Sequence, residues 1–304
     1  MNTSSPANNH KAWMLMFGAI IFWGINWPIM KIGLYYIGPI WFAALRVIIA
    51  AATLILFLGA QGKLTLPKRE EIPILFSLAI LQTGGFMGLI HFSLLFVEAG
   101  RSAVLAYTSP IWIPPLAMLF LGERLTIQKL VGIISGISGI ILLFNPFTFP
   151  WGLNGYMLGN LLLIFAAMVW AVTIIHIRSH GWTRPHLSLL PWQFLIGGII
   201  LTITASAVEG VPVIPVSIEF GIIMFFNGVI ATAFSFWAFI EAARILTANA
   251  TAMGSLGVPV VGIVSSVLIL GESISIVMAL GAGMILFGIA VFTFRWRQAK
   301  TKPD

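Results

Sequence analysis

Apolar runs of roughly bilayer-spanning length follow one another down almost the whole chain, and that feature leaves few folds open. A helix that crosses the hydrocarbon core needs about 20 predominantly apolar residues. Runs of that kind occupy about residues 12 to 34, 39 to 58, 72 to 95, 102 to 121, 127 to 145, 154 to 177, 187 to 206, 218 to 240, 246 to 269 and 275 to 294, each bounded by Pro, Gly or charged residues of the sort that end helices. Only 8% of the 304 residues are charged, against about 25% in an ordinary soluble domain, so too few polar side chains remain to clothe a surface in water. The expectation is an all-α membrane protein with ten transmembrane helices. The first run is longer than the apolar core of a signal peptide, and no small-residue cleavage pattern follows it before Tyr35 and Tyr36, so it is read as a retained helix.

Cations assign the orientation, because cytoplasmic loops are enriched in Lys and Arg. Lys11, Lys63, Lys68, Arg69, Arg124, Lys129, Arg178, Arg184, Arg244, Arg295, Arg297, Lys300 and Lys302 all fall on one side. The other side carries only Lys31 and Arg101, and Arg46 lies within the second run. Both termini are therefore expected in the cytoplasm. The excess of 16 Lys and Arg over 9 Asp and Glu reads as membrane orientation, not as a nucleic-acid surface. With no cysteine, disulfide frameworks, thiolate metal sites and cysteine nucleophiles are excluded.

The chain repeats itself. Leu121-Gly122-Glu123 recurs as Leu270-Gly271-Glu272, an offset of 149, and the same offset relates Pro110 to Pro259, Ile127 to Ile276, Gly132 to Gly281 and Gly139 to Gly288. An offset of 147 relates Trp23 and Lys31 to Trp170 and Arg178. The division is a cytoplasmic tail at 1 to 11, a first five-helix repeat at 12 to 145, a second at 154 to 294 and a tail at 295 to 304. Five spans is an odd number, so the second repeat enters the bilayer from the opposite side and the repeats are inverted, a design found in secondary transporters. Pro110, Pro114, Pro115 and Pro259 free backbone carbonyls that lipid cannot satisfy, which places their helices against a cavity or protein and makes Pro110 and Pro259 candidate hinges.

Trp23-Gly24 with Lys31, Arg46, the Pro110 region and the duplicated Gly-Glu at 122 to 123 and 271 to 272 resemble the ten-helix EamA-type permeases of the drug/metabolite transporter superfamily. The likeness covers about residues 12 to 294 and is greatest to the bacterial aromatic amino acid exporters. It implies a multi-pass carrier of the bacterial cell inner membrane that moves amino acids or related metabolites out of the cytoplasm. Other small metabolites or drugs, and a passive channel or membrane scaffold, remain the alternatives.

Charges within hydrocarbon are expensive and point to function. Arg46 lies near the middle of its run, and its aligned position in the second half, close to Gly197, is uncharged. A guanidinium there suits bidentate pairing with a substrate carboxylate; capping of backbone carbonyls, or pairing with a loop carboxylate, is the other reading. Lys31 is read as snorkelling to the headgroups. Asn26, Gln82 and Asn227 sit at similar depth and either read an ammonium or carboxylate group or tie helices together. Trp13, Trp41, Trp151, Trp182, Trp192 and Trp296 fit an interfacial belt, whereas Trp23, Trp27, Trp112, Trp170 and Trp237 lie inside runs and, with Tyr107, offer an apolar wall for a substrate side chain. On the first helix, Trp23, Asn26, Trp27 and Met30 share one face, read as cavity lining.

No carboxylate falls at mid-membrane: Asp304 is terminal, and Glu70, Glu71, Glu98, Glu123, Glu209, Glu219, Glu241 and Glu272 lie in loops or at span ends. His91 and His176 are inside spans but not central; His91 is read as a packing residue, with a proton-transferring role as the alternative. Facilitated transport without an obligatory proton or sodium partner is expected. HExxH, DxD, GxSxG and paired acids at depth are all missing, so neither an enzyme nor a metal or other cofactor is expected, and a monomer in the lipid bilayer suffices.

Overall fold

In lipid a backbone must satisfy its own hydrogen bonds, which leaves helices as the way for such runs to fold. The computed structural model describes residues 6–124, 126–144, 154–181, 186–246, 251 and 254–293, and every regular element among them is helical. We label the main helices α1 (Pro6–Gly33), α2 (Pro39–Ala60), α3 (Arg69–Ser93), α4 (Ala99–Leu121), α5 (Ile127–Phe144), α6 (Gly155–Ser179), α7 (Leu190–Val208), α8 (Ile218–Ile245), α9 (Gly257–Leu270) and α10 (Ile276–Thr293). Among the described residues the first eight are long and apolar enough to cross a membrane, while α9 and α10 are shorter apolar helices. Of the tryptophans expected in a belt, Trp151, Trp182 and Trp296 lie outside the described residues, as do Arg184, Arg295, Arg297, Lys300 and Lys302.

Two helices depart from regular α geometry in a related way. In α3, Ala79–Met87 is π-helical, and in α8 the same holds for Phe226–Phe234. Both ends of the two stretches are separated by the 147-residue offset that relates Trp23 to Trp170. Such wide turns are frequent at functional sites. A second departure is shared by α4 and α9. The chain turns at Tyr107 and Thr108 before Ser109–Leu121 resumes the helix, and at Leu256 before Gly257–Leu270. Pro110 and Pro259 thus sit in the first turn of their helical stretches, where a missing N–H costs no hydrogen bond.

Packing follows the repeat. Helix α1 lies against α8 and α9, and its counterpart α6 against α3 and α4; α2 meets α8 as α7 meets α3; α2 packs along α7, α4 along α9 and α5 along α10. The last pair shows the relation residue by residue. A Cβ on Gly139 would lie 2.6 Å from Gly281 O, and one on Gly288 would lie 2.6 Å from Gly132 O. Those are reciprocal contacts between repeat-related glycines, and as numbers rise along α5 they fall along α10, so the two helices run antiparallel. Between them Ser135 Oγ donates to the carbonyl of Met284, its own counterpart at the 149 offset, at 2.9 Å. A pseudo-two-fold axis passes through that contact.

Candidate functional site

The polar centre of the protein forms where α2 of the first repeat meets the π-helical stretch of α8 in the second. Helix α2 begins after Gly38, and its first free amides are taken by a carboxylate of the other repeat. Ile40 N donates to Glu209 Oε1 at 2.8 Å and Trp41 N to Glu209 Oε2 at 3.1 Å. Two turns further along, Arg46 is 3% exposed.

Its guanidinium is ringed by neutral groups. Nε and Nη2 donate to Thr232 Oγ1 at 3.0 and 2.8 Å, and Nη1 lies 2.9 Å from Met30 Sδ and 3.3 Å from His91 Nε2. Thr232 Oγ1 in turn donates to the Asn227 carbonyl, five residues back, at 2.6 Å, the spacing that a π-helical turn sets. Gly228 brings the α8 backbone close: a Cβ there would meet Ile49 at 2.5 Å and the Arg46 carbonyl at 3.2 Å. None of the ion pairs among the described residues includes Arg46. A buried arginine at a helix centre costs on the order of 3 kcal/mol on the insertion scale, and here only neutral acceptors offset that.

The second repeat answers with a smaller polar group. From α7, Gln193 Nε2 donates to Gln82 Oε1 at 2.7 Å and Thr83 Oγ1 at 3.1 Å, both in the π-helical stretch of α3. Each π-helical stretch therefore receives a polar side chain from the second helix of the opposite repeat.

The residues singled out from sequence divide between these places. Met30, Asn26, Trp27 and Trp23 lie on one face of α1; Met30 reaches Arg46, and Trp27 is buried against the bare α-carbon of Gly262. Asn26 Oδ1 and Asn227 Oδ1 are buried with no hydrogen-bond partner, while Asn227 Nδ2 donates to Ile223 O at 2.9 Å. Trp23 meets Phe236 edge-on and Phe239 at a tilt, at ring separations of 5.2 and 5.1 Å. Tyr107 sits at the break in α4 and packs against the central apolar cluster. Gln82 joins the Gln193 group, and Trp237 packs between Phe57 and Phe234. Two further neighbours of Arg46 are His91, which the sequence reading assigned to packing with proton transfer as the alternative, and Thr232, which it did not single out. His91 offered a signal in being a buried-span histidine without a counterpart, and Thr232 offered none.

A cavity of about 590 Å³ opens between the repeats, lined by Leu45 and Ile49 of α2, by Pro215 and Ser217 of the loop before α8, and by Phe220 and Met224 of its first turns. Its walls are mostly apolar, and neither Arg46 nor the Met30, His91 and Thr232 side chains that touch the guanidinium belong to its lining. At the same end of the bundle Glu272 accepts from Ala99 N at 2.7 Å and Gly100 N at 2.9 Å, capping α4, and Lys31 Nζ donates to the carbonyls of Leu94 and Val97. At the opposite end Glu123 pairs with Lys129 at 3.1 Å and with Arg178. The Lys129 hydrogen bond, with Arg178 adding to it, holds the Glu123 carboxyl below its ordinary value against the opposing effect of burial, which is second in size to the Lys129 bond. Among the described residues no group of three His, Cys, Asp or Glu side chains is placed to hold a metal ion.

Comparison with known proteins agrees with this doubled helical architecture. The EamA-like transporter family model matches twice, at residues 10–145 and 157–294. The chain is 27% identical over 289 residues to the uncharacterized transporter YoaV of Bacillus subtilis, covering 94% of this chain and 99% of that one. It is 28% identical over 313 residues to a probable amino-acid metabolite efflux pump of Escherichia coli, covering 96% and 98%. A solved structure superimposes with a TM-score of 0.65 at 22% identity over 93% of this chain and 96% of that one, a likeness of fold. The protein is a multi-pass membrane transporter that belongs to the EamA-like family.

Proposed function

We propose that this chain exports amino acids, chiefly those with apolar or aromatic side chains, from the bacterial cytoplasm across the inner membrane by alternating access. The observation that carries the reading is Arg46: a buried guanidinium between the repeats whose described partners are all neutral. A carboxylate is the ligand such a cation lacks, and Arg presents the planar fork that binds it bidentately. The unpartnered amide oxygens of Asn26 and Asn227 supply acceptors for the ammonium group. Trp23, Trp27 and Tyr107 offer apolar surface for a hydrophobic side chain.

In this reading the chain crosses the bilayer ten times, in two five-helix repeats threaded in opposite senses, with both termini cytoplasmic. The antiparallel run of α5 against α10 supports it. The breaks before Pro110 and Pro259 are the hinges about which helix groups rock. Transport is facilitative, since the described carboxylates lie in loops and at helix ends. Purified protein in liposomes, assayed with a panel of amino acids with and without an imposed pH gradient, tests the proposal. Saturable, counterflow-stimulated flux of apolar amino acids is expected. Flux linear in concentration would make the protein a pore, and uphill movement under the pH gradient would overturn the facilitative mode.

A further inference from the structure

His91 is 0% exposed, lies just beyond the π-helical stretch of α3, and enters the proposal above only as one of the neutral partners of Arg46. Its Nδ1 is 2.6 Å from the Met87 carbonyl, which only accepts, so Nδ1 carries a proton. Its Nε2 faces Arg46 Nη1, and a guanidinium only donates, so Nε2 presents a lone pair and the ring is neutral. The Phe42 ring, 5.5 Å away, flanks the imidazole. Phe42 is itself fixed, since it fills the space over Gly33, where a Cβ would meet it at 2.1 Å.

We propose that His91 is a positioning residue for the substrate site: its neutral lone pair orients Arg46 without neutralising it, and Met30 is the ligand that an incoming carboxylate displaces. The inference rests on the reading of Arg46 as the carboxylate-binding group. A protein carboxylate in place of His91 would also orient the guanidinium, but in a medium of low dielectric it would form a tight ion pair that substrate must break. An imidazole nitrogen gives direction and leaves the positive charge available. The three neutral ligands are unequal. Thr232 is anchored to Asn227 O and His91 to Met87 O, whereas Met30 offers a weakly accepting thioether on a flexible, unbranched chain. A charge-assisted bond from a carboxylate is roughly twice as strong as a neutral one and replaces the weakest.

Counterflow of labelled phenylalanine in liposomes, combined with thermal unfolding in detergent, tests this with four variants. His91→Gln keeps an acceptor and a donor and should hold KM within about threefold of wild type; His91→Phe keeps the ring but no acceptor and should raise KM about tenfold or more with a smaller change in kcat. His91→Glu supplies a rival carboxylate, so transport should vanish while the unfolding temperature stays at or above that of wild type. Met30→Leu removes the placeholder, and KM should fall. A merely structural role predicts that transport tracks the unfolding temperature across all four. That result, or wild-type KM in His91→Glu, or a raised KM in Met30→Leu, overturns the assignment. Wild-type protein that moves no phenylalanine fails the export reading itself and takes this inference with it. Normal wild-type flux with an indifferent His91→Glu fails only the role of His91.

Discussion

Arg46 and Thr232 stand 186 residues apart in the chain and meet through two hydrogen bonds, at 3.0 and 2.8 Å, that join the second helix of one repeat to the π-helical stretch of the other. Removing the arginine separates function from stability. In Arg46→Ala the neutral hydrogen bonds are lost, but so is the burial of a cation, which costs on the order of 3 kcal/mol at a helix centre. Thr232 keeps its bond to Asn227 O. Arg46→Ala should therefore abolish amino acid flux in liposomes while the unfolding temperature changes little. Arg46→Lys, a point charge without the planar fork, should restore flux poorly. Wild-type flux in the alanine variant would remove Arg46 from the site.

The counterpart group behaves in the opposite way. Gln193→Leu takes a shared donor from Gln82 and Thr83, all three of them buried. Leaving buried acceptors without it costs about 1–3 kcal/mol. Denaturant or thermal unfolding should register that loss, whereas the KM of residual transport should stay at the wild-type value. A raised KM would bring Gln82 into the substrate site and make the two polar groups functionally alike.

How much of this could be read beforehand depends on what each feature leaves in the sequence. The helices announce themselves because hydrocarbon leaves the backbone no alternative to satisfying itself. The repeat shows because Leu-Gly-Glu and the α5 and α10 glycines meet demands that both halves share. The π-helical stretches leave no trace: Ala79–Met87 and Phe226–Phe234 are largely apolar around their circumference, so no periodicity distinguishes a wide turn from a regular one. Arg46 stood out as a charge in a run, but its setting did not, because Thr232 and His91 arrive from other helices and spacing says nothing about which faces meet. The sequence reads α9 as a span from residue 246, and the turn at Leu256 ahead of Gly257–Leu270 leaves no mark in it, since the small apolar residues on either side of that turn are alike in composition.

The α5 and α10 contact gives a symmetric pair of expectations. Gly139→Ala places a methyl group 2.6 Å from Gly281 O and 2.9 Å from Ile285 Cγ1, and Gly288→Ala places one 2.6 Å from Gly132 O. Backbone cannot yield as a side chain does, so each should destabilise by about 1–3 kcal/mol, and by similar amounts. Gly283→Ala in the same helix meets nothing within 4 Å and should be neutral or slightly stabilising. Thermal unfolding of the three variants checks this, and unequal effects at Gly139 and Gly288 would break the equivalence.

At the Arg178 end, acid should act through Glu123. Its carboxyl is held below the ordinary value of 4.5, first by the Lys129 hydrogen bond. A depressed carboxyl contributes stability that is fully present above its unfolded value and is lost as pH falls through the folded one. The difference in unfolding temperature between wild type and Glu123→Gln should stay constant from neutral pH down to the ordinary carboxylate range and close below it. The difference itself should be small, because the pair is partly exposed. A gap that opens as pH falls would reverse the sign and discard the ion pairs as its source.

The opposite end is held by a carboxylate in a different role. Glu272 spans the amides of Ala99 and Gly100 and so closes the first turn of α4 with a group from the other repeat. A carboxylate at a helix N-terminus meets both the free N–H groups and the positive end of the helix dipole. Glu272→Gln retains one acceptor oxygen and loses the charge, which weakens the cap by roughly one charge-assisted bond, or about tenfold in the equilibrium between capped and uncapped states. The chain has no native cysteine, so one probe can report on this alone. Ser102 lies one turn inside the cap and is 0% exposed. In a Ser102→Cys background, a membrane-impermeant maleimide added from the side that the proposed topology makes extracytoplasmic should react slowly with Glu272 intact and about tenfold faster with Glu272→Gln. Labelling that ignores residue 272 would mean that this end is closed by side-chain packing between α4 and α9 alone, where Ala103 faces Gly262, and that the carboxylate only finishes a helix.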